Sequence, residues 1–359
     1  MVKEAIVRVV QGGNLTEKEM EATMGEIVTG KATAAQIGSF LTALRIKGET
    51  VDEITGAARA LQARAEKLRL TNHLVTVDRD EINVDDETIL DTCGTGGDGT
   101  NTFNVSTATA FVVAGAGVKV AKHGHRAVSS RCGSATVLEA LGVNLDINHA
   151  NVEMCIQEVG IGFVYAPLFY STMRYPTGVR QEIGIRTIFN LLGPLTNPAG
   201  ATAQILGVYN PELTEKMAQV LNRLGTREAF VVCGEGSFDE ISICGPTQIS
   251  HLKEGKISTF TVTPEEFGFK RAKPNEIRGG NARENARIIR ELLEGQRGPK
   301  RDMVLLNAGA ALVAGGLDND FNEGIERAAD AIDSGRAREK LDAVASFTQQ
   351  CGYFVRGEL

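Results

Sequence analysis

Tryptophan is absent from the chain and tyrosine occurs only five times, so there is little flat surface on which the bases of a single strand could stack. No Lys/Arg-rich run occurs either, and the formal net charge is -7, which leaves nothing to track a phosphate backbone. Nucleic acid is therefore not an expected partner. The six cysteines (Cys93, Cys132, Cys155, Cys233, Cys244, Cys351) are scattered, with no Cys-x-x-Cys pair and no histidine at ligand spacing. That pattern excludes a zinc knot or a disulfide framework as the organising device, and the cysteines read as reduced core thiols. The N-terminal "MVKEAIVRVVQGG" lacks the apolar core of a signal peptide, and the longest nearly apolar run, "AFVVAGAGV", is too short to cross a bilayer. A cytoplasmic protein without membrane contact is expected.

What is present points to two domains, since 359 residues exceed the usual single-core size. Three capping boxes mark helix starts: Thr16 with Glu19, Thr33 with Gln36, and Thr50 with Glu53, each a hydroxyl N-cap with a reciprocating side chain three residues on. Gly30 and Gly48 stop the first two of these helices, and Ile37, Phe40, Leu41 and Leu44 form an apolar stripe on the second. Residues 1–70 thus read as a small all-helical domain. The acidic, polar stretch "LTNHLVTVDRDEINVDD" reads as a linker over 71–86.

Residues 87–359 alternate strand and helix patterns: "VKVAKHG", "IGFVYAP" and "EAFVVCG" as strands, "SATVLEALGV", "EMCIQEVG" and "PELTEKMAQVLNRLG" as helices. Alternation of this kind predicts an α/β domain whose mostly parallel central sheet is flanked by helices. The pieces "ENARIIRELLEG", "DMVLLNAGAALVAGG" and "FNEGIERAADAIDSGRAREKLDAVASFTQQ" read as helices that close it.

Three loops carry candidate chemistry. The first, "DTCGTGGDGTNTFNVST", sets Gly94, Gly96 and Gly97 between the strand "TILDTC" and a helix that starts near Ser106 or Thr107. Outward-pointing amides and a helix N-terminus favour an anion there. The spacing is neither that of a dinucleotide-binding turn nor that of a P-loop, and a plain strand-to-helix turn would also use such glycines. Asn104, Ser106 and Thr107 supply more short polar groups than helix capping alone requires. The second loop, "KHGHRAVSSRCGS", gathers Lys122, His123, His125, Arg126 and Arg131 with Ser129, Ser130 and Ser134 after a strand, suited to several phosphate oxygens at the C-terminal edge of an open sheet. The third, "GEGSFDEISICG", pairs Asp239 with Glu240. Two adjacent carboxylates in such surroundings suggest Mg2+, although an acidic turn is common in any acidic protein.

Taken together, "GTGGDGTNTFNVST", "KHGHRAVSSRCGSATVLEALGVNLD", "GVRQEIGIRTIFNLLGPLTNPA" and "GEGSFDEIS" resemble the anthranilate phosphoribosyltransferase family of tryptophan biosynthesis, over nearly the whole chain. The resemblance implies transfer of the phosphoribosyl group from 5-phosphoribosyl 1-pyrophosphate to the amine of anthranilate, releasing pyrophosphate. It also implies a homodimer joined through the helical domain, and helices from about 175–195 that join that domain. Carried onto this sequence, Gly94, Gly97, Asp98, Thr102, Asn104, Val105, Ser106 and Thr107 would hold the donor. So would Lys122, His123, Gly124, His125, Arg126, Ala127, Val128, Ser129, Ser130 and Ser134. Ser106, Asp239 and Glu240 would hold Mg2+, while Gly94, His125 and Arg180 would face anthranilate. Catalysis would rest on Lys122, Asp239 and Glu240, with no catalytic base, because an aromatic amine is already neutral and nucleophilic near pH 7.

The sequence departs from the family at two places on the acceptor side. His125 stands where asparagine is usual, and "APLFYSTMRYP" replaces a stretch that commonly contains histidine. A phosphoribosyltransferase for another aromatic amine or base, a pyrimidine nucleoside phosphorylase-like enzyme of the same architecture, and a non-enzymatic nucleic-acid-binding relative are the competing readings. The acidic charge and the Asp239–Glu240 pair favour the Mg2+-pyrophosphate chemistry.

Overall fold

In the computed structural model residues 1–70, 73–78, 81–96, 99–125, 132–170 and 173–352 are described, those of 73–78 and 81–86 and Arg174 by backbone alone. Four helices open the chain: α1 (Val2–Val10), α2 (Glu17–Val28), α3 (Ala34–Lys47) and α4 (Val51–Gln62). All three capping boxes form at the starts of α2, α3 and α4, with the threonine hydroxyl and the side chain three residues on bonding each other's backbone amides. Gly48 closes α3 at φ 87°, a conformation open to glycine at little cost. Glu53 serves its box and more: fully buried, it also accepts the Leu15 amide at 3.0 Å and the Lys47 ammonium at 2.9 Å.

The segment expected as a linker carries a two-stranded antiparallel ribbon, β1 (His73–Asp78) with β2 (Glu81–Asp86), in which Val75 pairs with Val84 and Val77 with Ile82. Alternating β-branched residues favour an extended chain even where polar neighbours suggest a loop.

The main sheet follows: β3 (Ile89–Gly94), β4 (Lys119–Gly124), β5 (Ile161–Tyr165), β6 (Ala203–Gly207), β7 (Glu228–Gly234), β8 (Thr247–Lys253) and β9 (Lys256–Val262). Its order is β5-β4-β3-β6-β7-β8-β9. The first five of these are parallel and the β8–β9 hairpin adds antiparallel to β7. The expected class, a helical domain beside a mostly parallel α/β domain, is what the structure has. Around the sheet run α5 (Val105–Ala116), α6 (Ser134–Ala140), α7 (His149–Val159), α8 (Ala166–Phe169), α9 (Arg174–Ile183), α10 (Phe189–Leu192), α11 (Glu212–Leu224), α12 (Ala282–Leu293), α13 (Pro299–Ala314), α14 (Phe321–Asp333) and α15 (Arg336–Gln350). The long C-terminal pattern divides into α14 and α15 at Ser334 and Gly335, the latter at φ 84°.

Strands β6 and β7 are buried throughout and feed two cores by alternation. Ile205, Phe230 and Val232 join the larger core with α5 and α13, while Leu206, Ala229 and Val231 join a second core with α11 and the N-terminal helices. Period-two burial on both faces is what a helix-covered parallel sheet requires. The second core also takes Val179 of α9 and Ile188, Phe189 and Leu192 from in and around α10, so the connection from β5 to β6 passes through the helical bundle before re-entering the sheet beside β3. That detour makes β3 the strand where the winding reverses, and crevices beyond the carboxyl ends of strands at such a point bind ligands.

Candidate active site

Strands β4, β3, β6 and β7 lie side by side, and each ends on glycine: Gly124, Gly94, Gly207 and Gly234. These glycines let the following loops fold back over the strand ends. A Cβ at Gly94 would overlap the Asp239 carboxylate, one at Gly207 would overlap the Asp239 carbonyl oxygen, and one at Gly124 would overlap the Ser134 hydroxyl. The Asp239 carboxylate in turn accepts the Gly96 amide at 2.9 Å. The glycine-rich loop and the "DE" loop, 143 residues apart in sequence, are thereby one structure.

Beneath them Lys122 is 2% exposed. Its ammonium donates to the Thr92 carbonyl and, at 3.2 Å, to the Ser106 hydroxyl in the first turn of α5. Asp91, fully buried on β3, accepts the His123 amide at 3.1 Å, the Asn197 side chain at 2.9 Å and the Cys93 thiol at 3.3 Å. Burial pushes the Lys122 ammonium down from its ordinary value, opposed by the negative charge of Asp91 and, more weakly, Glu240 and Asp239. Burial likewise pushes the Asp91 carboxyl up, opposed by Lys122, Asn197 and the His123 amide. Each charge offsets part of the other's desolvation cost. The Cys93 thiol is also raised by burial and stays protonated, so it packs and bonds rather than reacts.

Ser106, Asp239 and Glu240 offer a hydroxyl and two carboxylates, all hard oxygen donors. No group of three or more His, Cys, Asp or Glu side chains that could hold a metal occurs among the described residues. Mg2+ favours such hard oxygen donors and keeps several waters besides.

Of the remaining donor-side candidates, Thr102, Asn104, Val105 and Thr107 lead into and open α5 beside Ser106. Asn104 N-caps α5 without a side-chain cap bond; its Oδ1 instead accepts Asn285 of α12 at 2.9 Å. Thr102 bridges to Arg278. Val105 and Thr107 are buried, and the Thr107 hydroxyl has no hydrogen-bond partner among the described residues. Gly97, Asp98, Arg126, Ala127, Val128, Ser129, Ser130 and Arg131 lie outside the described residues.

His123 and Arg180 occupy the side toward the helical domain. The His123 ring is buried, its Nδ1 3.0 Å from the Gly193 carbonyl, and its Nε2 has no partner among the described residues. Burial, with a smaller effect from His125, pushes it down to about 4. A neutral ring that donates through Nδ1 leaves Nε2 as an acceptor. Tyr170, from the departing "APLFYSTMRYP" stretch, lies with its ring centroid 6.0 Å from that of His123, while His125 is exposed. Arg180 lies on α9, whose Val179 is part of the second core. It is half-buried on α9, its guanidinium 5.0 Å over the Phe189 ring, and no carboxylate pairs with it among the described residues.

Sequence reasoning missed Asp91, Asn197, Gly207 and Asn285. An aspartate inside "TILDTC" and a glutamine inside "ATAQILG" were the available signals, since a polar side chain in an apolar strand must be satisfied by something distant. Gln204 bonds both the Cys93 thiol and the Pro194 carbonyl.

Likeness to known proteins extends over nearly the whole chain. A glycosyl transferase family helical bundle domain matches residues 3–65, and a glycosyl transferase family a/b domain matches residues 86–338. An anthranilate phosphoribosyltransferase from Pelobacter propionicus is 57% identical over 349 residues, covering 97% of this chain and 100% of the relative. The crystal structure of anthranilate phosphoribosyltransferase from Thermus thermophilus superposes with TM-score 0.87 at 40% identity, over 96% of this chain and 99% of that one. The Saccharomyces cerevisiae anthranilate phosphoribosyltransferase in complex with PRPP and Mg superposes with TM-score 0.86 at 29% identity, over 97% and 98%.

The buried imidazole has a consequence for stability. Held at about 4 against 6.5 for the free group, His123 is neutral in the folded protein, whereas the unfolded chain takes up a proton below 6.5. The associated stability is present above about pH 6.5 and is lost as pH falls from there toward 4. In urea unfolding, between about pH 7 and about pH 5 the wild type should lose about 2 kcal/mol more than His123→Asn. Equal pH slopes would rule the buried ring out as the cause.

Proposed function

This chain belongs to the anthranilate phosphoribosyltransferase family, and from that premise we propose that it transfers the phosphoribosyl group of 5-phosphoribosyl 1-pyrophosphate to the amine of anthranilate, with Mg2+, as a step of tryptophan biosynthesis in the cytoplasm. The observation that carries this reading is the meeting of Asp239 with the glycine-rich turn at Gly94 and Gly96, above Lys122 and Ser106. That meeting brings oxygen donors for a cation, bare backbone for phosphates and a buried positive charge to the edge of one sheet.

In this reading the bond from ribose C1 to pyrophosphate breaks, the amine nitrogen bonds to C1, and the proton lost from nitrogen passes to solvent. Positive charge grows on the ring and negative charge on the leaving group. Ser106, Asp239 and Glu240 hold Mg2+, which when bound supplies charge neutralisation for the pyrophosphate. Gly94, Gly97, Asp98, Thr102, Asn104 to Thr107, and the segment from Lys122 through Ser130 with Ser134, line the donor. Lys122 acts from below, its field reaching the cleft through Ser106, and the pre-set amides need no reorganisation as charge develops. Positioning supplies much of the rest. His123, held neutral, accepts or positions a hydrogen bond and is not needed as a base.

On the acceptor side Gly94, His125 and Arg180 face anthranilate. A half-buried guanidinium with no carboxylate partner among the described residues, resting on the Phe189 ring, suits a carboxylate-bearing aromatic. A homodimer through the helical domain accords with Val7, Val10 and Ile46, which leave apolar side chains 57%, 67% and 82% exposed on α1 and α3.

The direct test is turnover of purified protein with anthranilate, donor and Mg2+; none above background would sink the proposal. Asp239→Asn combined with Glu240→Gln should raise the Mg2+ needed for half-maximal rate by about tenfold or more, and an unchanged Mg2+ titration would remove these residues from the metal. Arg180→Ala should raise the acceptor KM by about tenfold while leaving the donor KM in place; a shift in the donor KM alone would reverse that assignment. Val10→Glu with Ile46→Glu should sediment as a monomer where the wild type sediments as a dimer, and a persisting dimer would move the interface elsewhere.

A further inference from the structure

A second hollow lies behind the glycine-rich wall, bounded by the 276–280 loop, α12 and the start of α13. Its volume is about 510 Å³ and its lining is mainly polar. Five cations line it, Arg278, Arg287, Arg297, Lys300 and Arg301, against the three carboxylates Glu276, Glu284 and Glu291. On a chain whose net charge is -7, a concave surface with an excess of positive groups runs against the general field of the molecule.

The carboxylates are locally committed. Glu276 accepts the Lys273 amide at 2.7 Å, Glu284 caps α12 by accepting the Asn281 amide at 2.8 Å, and Glu291 pairs with Arg287 at 2.7 Å. Arg301 is buried against Asp333 at 2.7 Å. Among the described residues the Lys300 ammonium donates to a carbonyl, that of Glu276 at 2.9 Å, and the Arg278 and Arg297 side chains have no hydrogen-bond or ion-pair partner. Burial first and the charge of Arg287 second push the Lys300 ammonium down, opposed by the charges of Glu276 and Glu291. Asp302 and Asp333 act on Arg297 only through space, and Glu276 and Glu291 on Lys300 likewise; two guanidiniums and an ammonium around one hollow, their side-chain donors not bonded to those carboxylates, match an oxyanion that accepts several charge-assisted hydrogen bonds.

The hollow is joined to the catalytic wall by short connections. Arg278 is bridged to Thr102, the Gly279 amide donates to the Asn101 carbonyl at 3.0 Å, and Gly280 donates to Asn285, which itself bonds Asn104 at 2.9 Å. A Cβ at Gly279 would lie 2.7 Å from the Phe103 Cα, so this loop packs directly against the wall. We propose that a small multivalent oxyanion, a phosphate or a polycarboxylate, binds among Arg278, Arg297 and Lys300 and adjusts donor affinity through the Arg278–Thr102 connection. This site is separate from the cleft at the strand ends and goes beyond the transfer reaction.

Inorganic phosphate and citrate are the probes, titrated calorimetrically into the wild-type protein and Arg297→Gln with the donor and Mg2+ saturating, so that the catalytic cleft is filled. The expected result is saturable binding of at least one probe to the wild type, weakened tenfold or more in Arg297→Gln. The probe that binds identifies which oxyanion geometry the hollow takes. In parallel the donor KM should shift with the binding probe in the wild type and not in Arg297→Gln, whose turnover without probe should match the wild type. Equal binding to both proteins, or no saturable binding of either probe, overturns the site. Binding that leaves the donor KM unmoved overturns the coupling. Because the comparison between the two proteins does not need catalysis, a chain that bound phosphate here yet failed to use anthranilate would still support this site.

Discussion

The candidate active site depends on four neighbouring strands that end without a side chain. Gly124, Gly94, Gly207 and Gly234 leave the carboxyl edge of β4, β3, β6 and β7 bare, and the chain's own polar groups occupy the space that Cβ atoms would take. Asp239 sits across two of these ends, Ser134 over a third, and Ser242 lies over the fourth, where a Cβ would come within 2.7 Å of its own. With any bulkier residue at these ends the loops would be lifted from the sheet, and the carboxylates, hydroxyls and amides that now share one cleft would point into separate volumes of solvent. The site is thus less a set of reactive residues than an edge kept clear so that distant loops can meet.

Below that edge, the buried charges explain why the loops stay in place. Lys122 and Asp91 are each costly to bury alone and tolerable together. Asp91 gathers the His123 amide, Asn197 and Cys93, while Lys122 gathers Thr92 and Ser106. This network spans β3, β4, the start of α5 and the turn before β6. A polar network buried in this way favours one arrangement of its members, because any displaced member leaves a charge unsatisfied. The same polarity puts positive charge under Ser106 and negative charge at Asp239 and Glu240.

Local grammar in the sequence was reliable where the physics was local. Thr16, Thr33 and Thr50 announced their helices because a capping box is complete within four residues, and the apolar stripe from Ile37 to Leu44 needed only one helix to be read. The glycine-rich, cationic and acidic loops could be singled out by residue type, and family resemblance joined them. What could not be read was set by partners far along the chain: Asp91 meets Asn197 across 106 residues, Asn104 meets Asn285 across 181, and the short strand β6 is recognisable only by its place between β3 and β7. The β1–β2 ribbon was masked by acidic residues, and the β8–β9 hairpin was not singled out, although the alternation of strand and helix had suggested a sheet only mostly parallel. The glycine at each strand end was present in the sequence every time, but its meaning lay in strand adjacency.

The second hydrophobic core has a further consequence. Met20, Phe40 and Leu44 of the opening helices share it with Val179, Phe189 and Leu192, and with Leu206 and Val231 of the sheet. A chain emerging amino end first therefore exposes finished helices long before their apolar faces can be covered. The opening bundle must wait through more than half of the polypeptide's synthesis for its remaining walls, which arrive only with β6, β7 and β8.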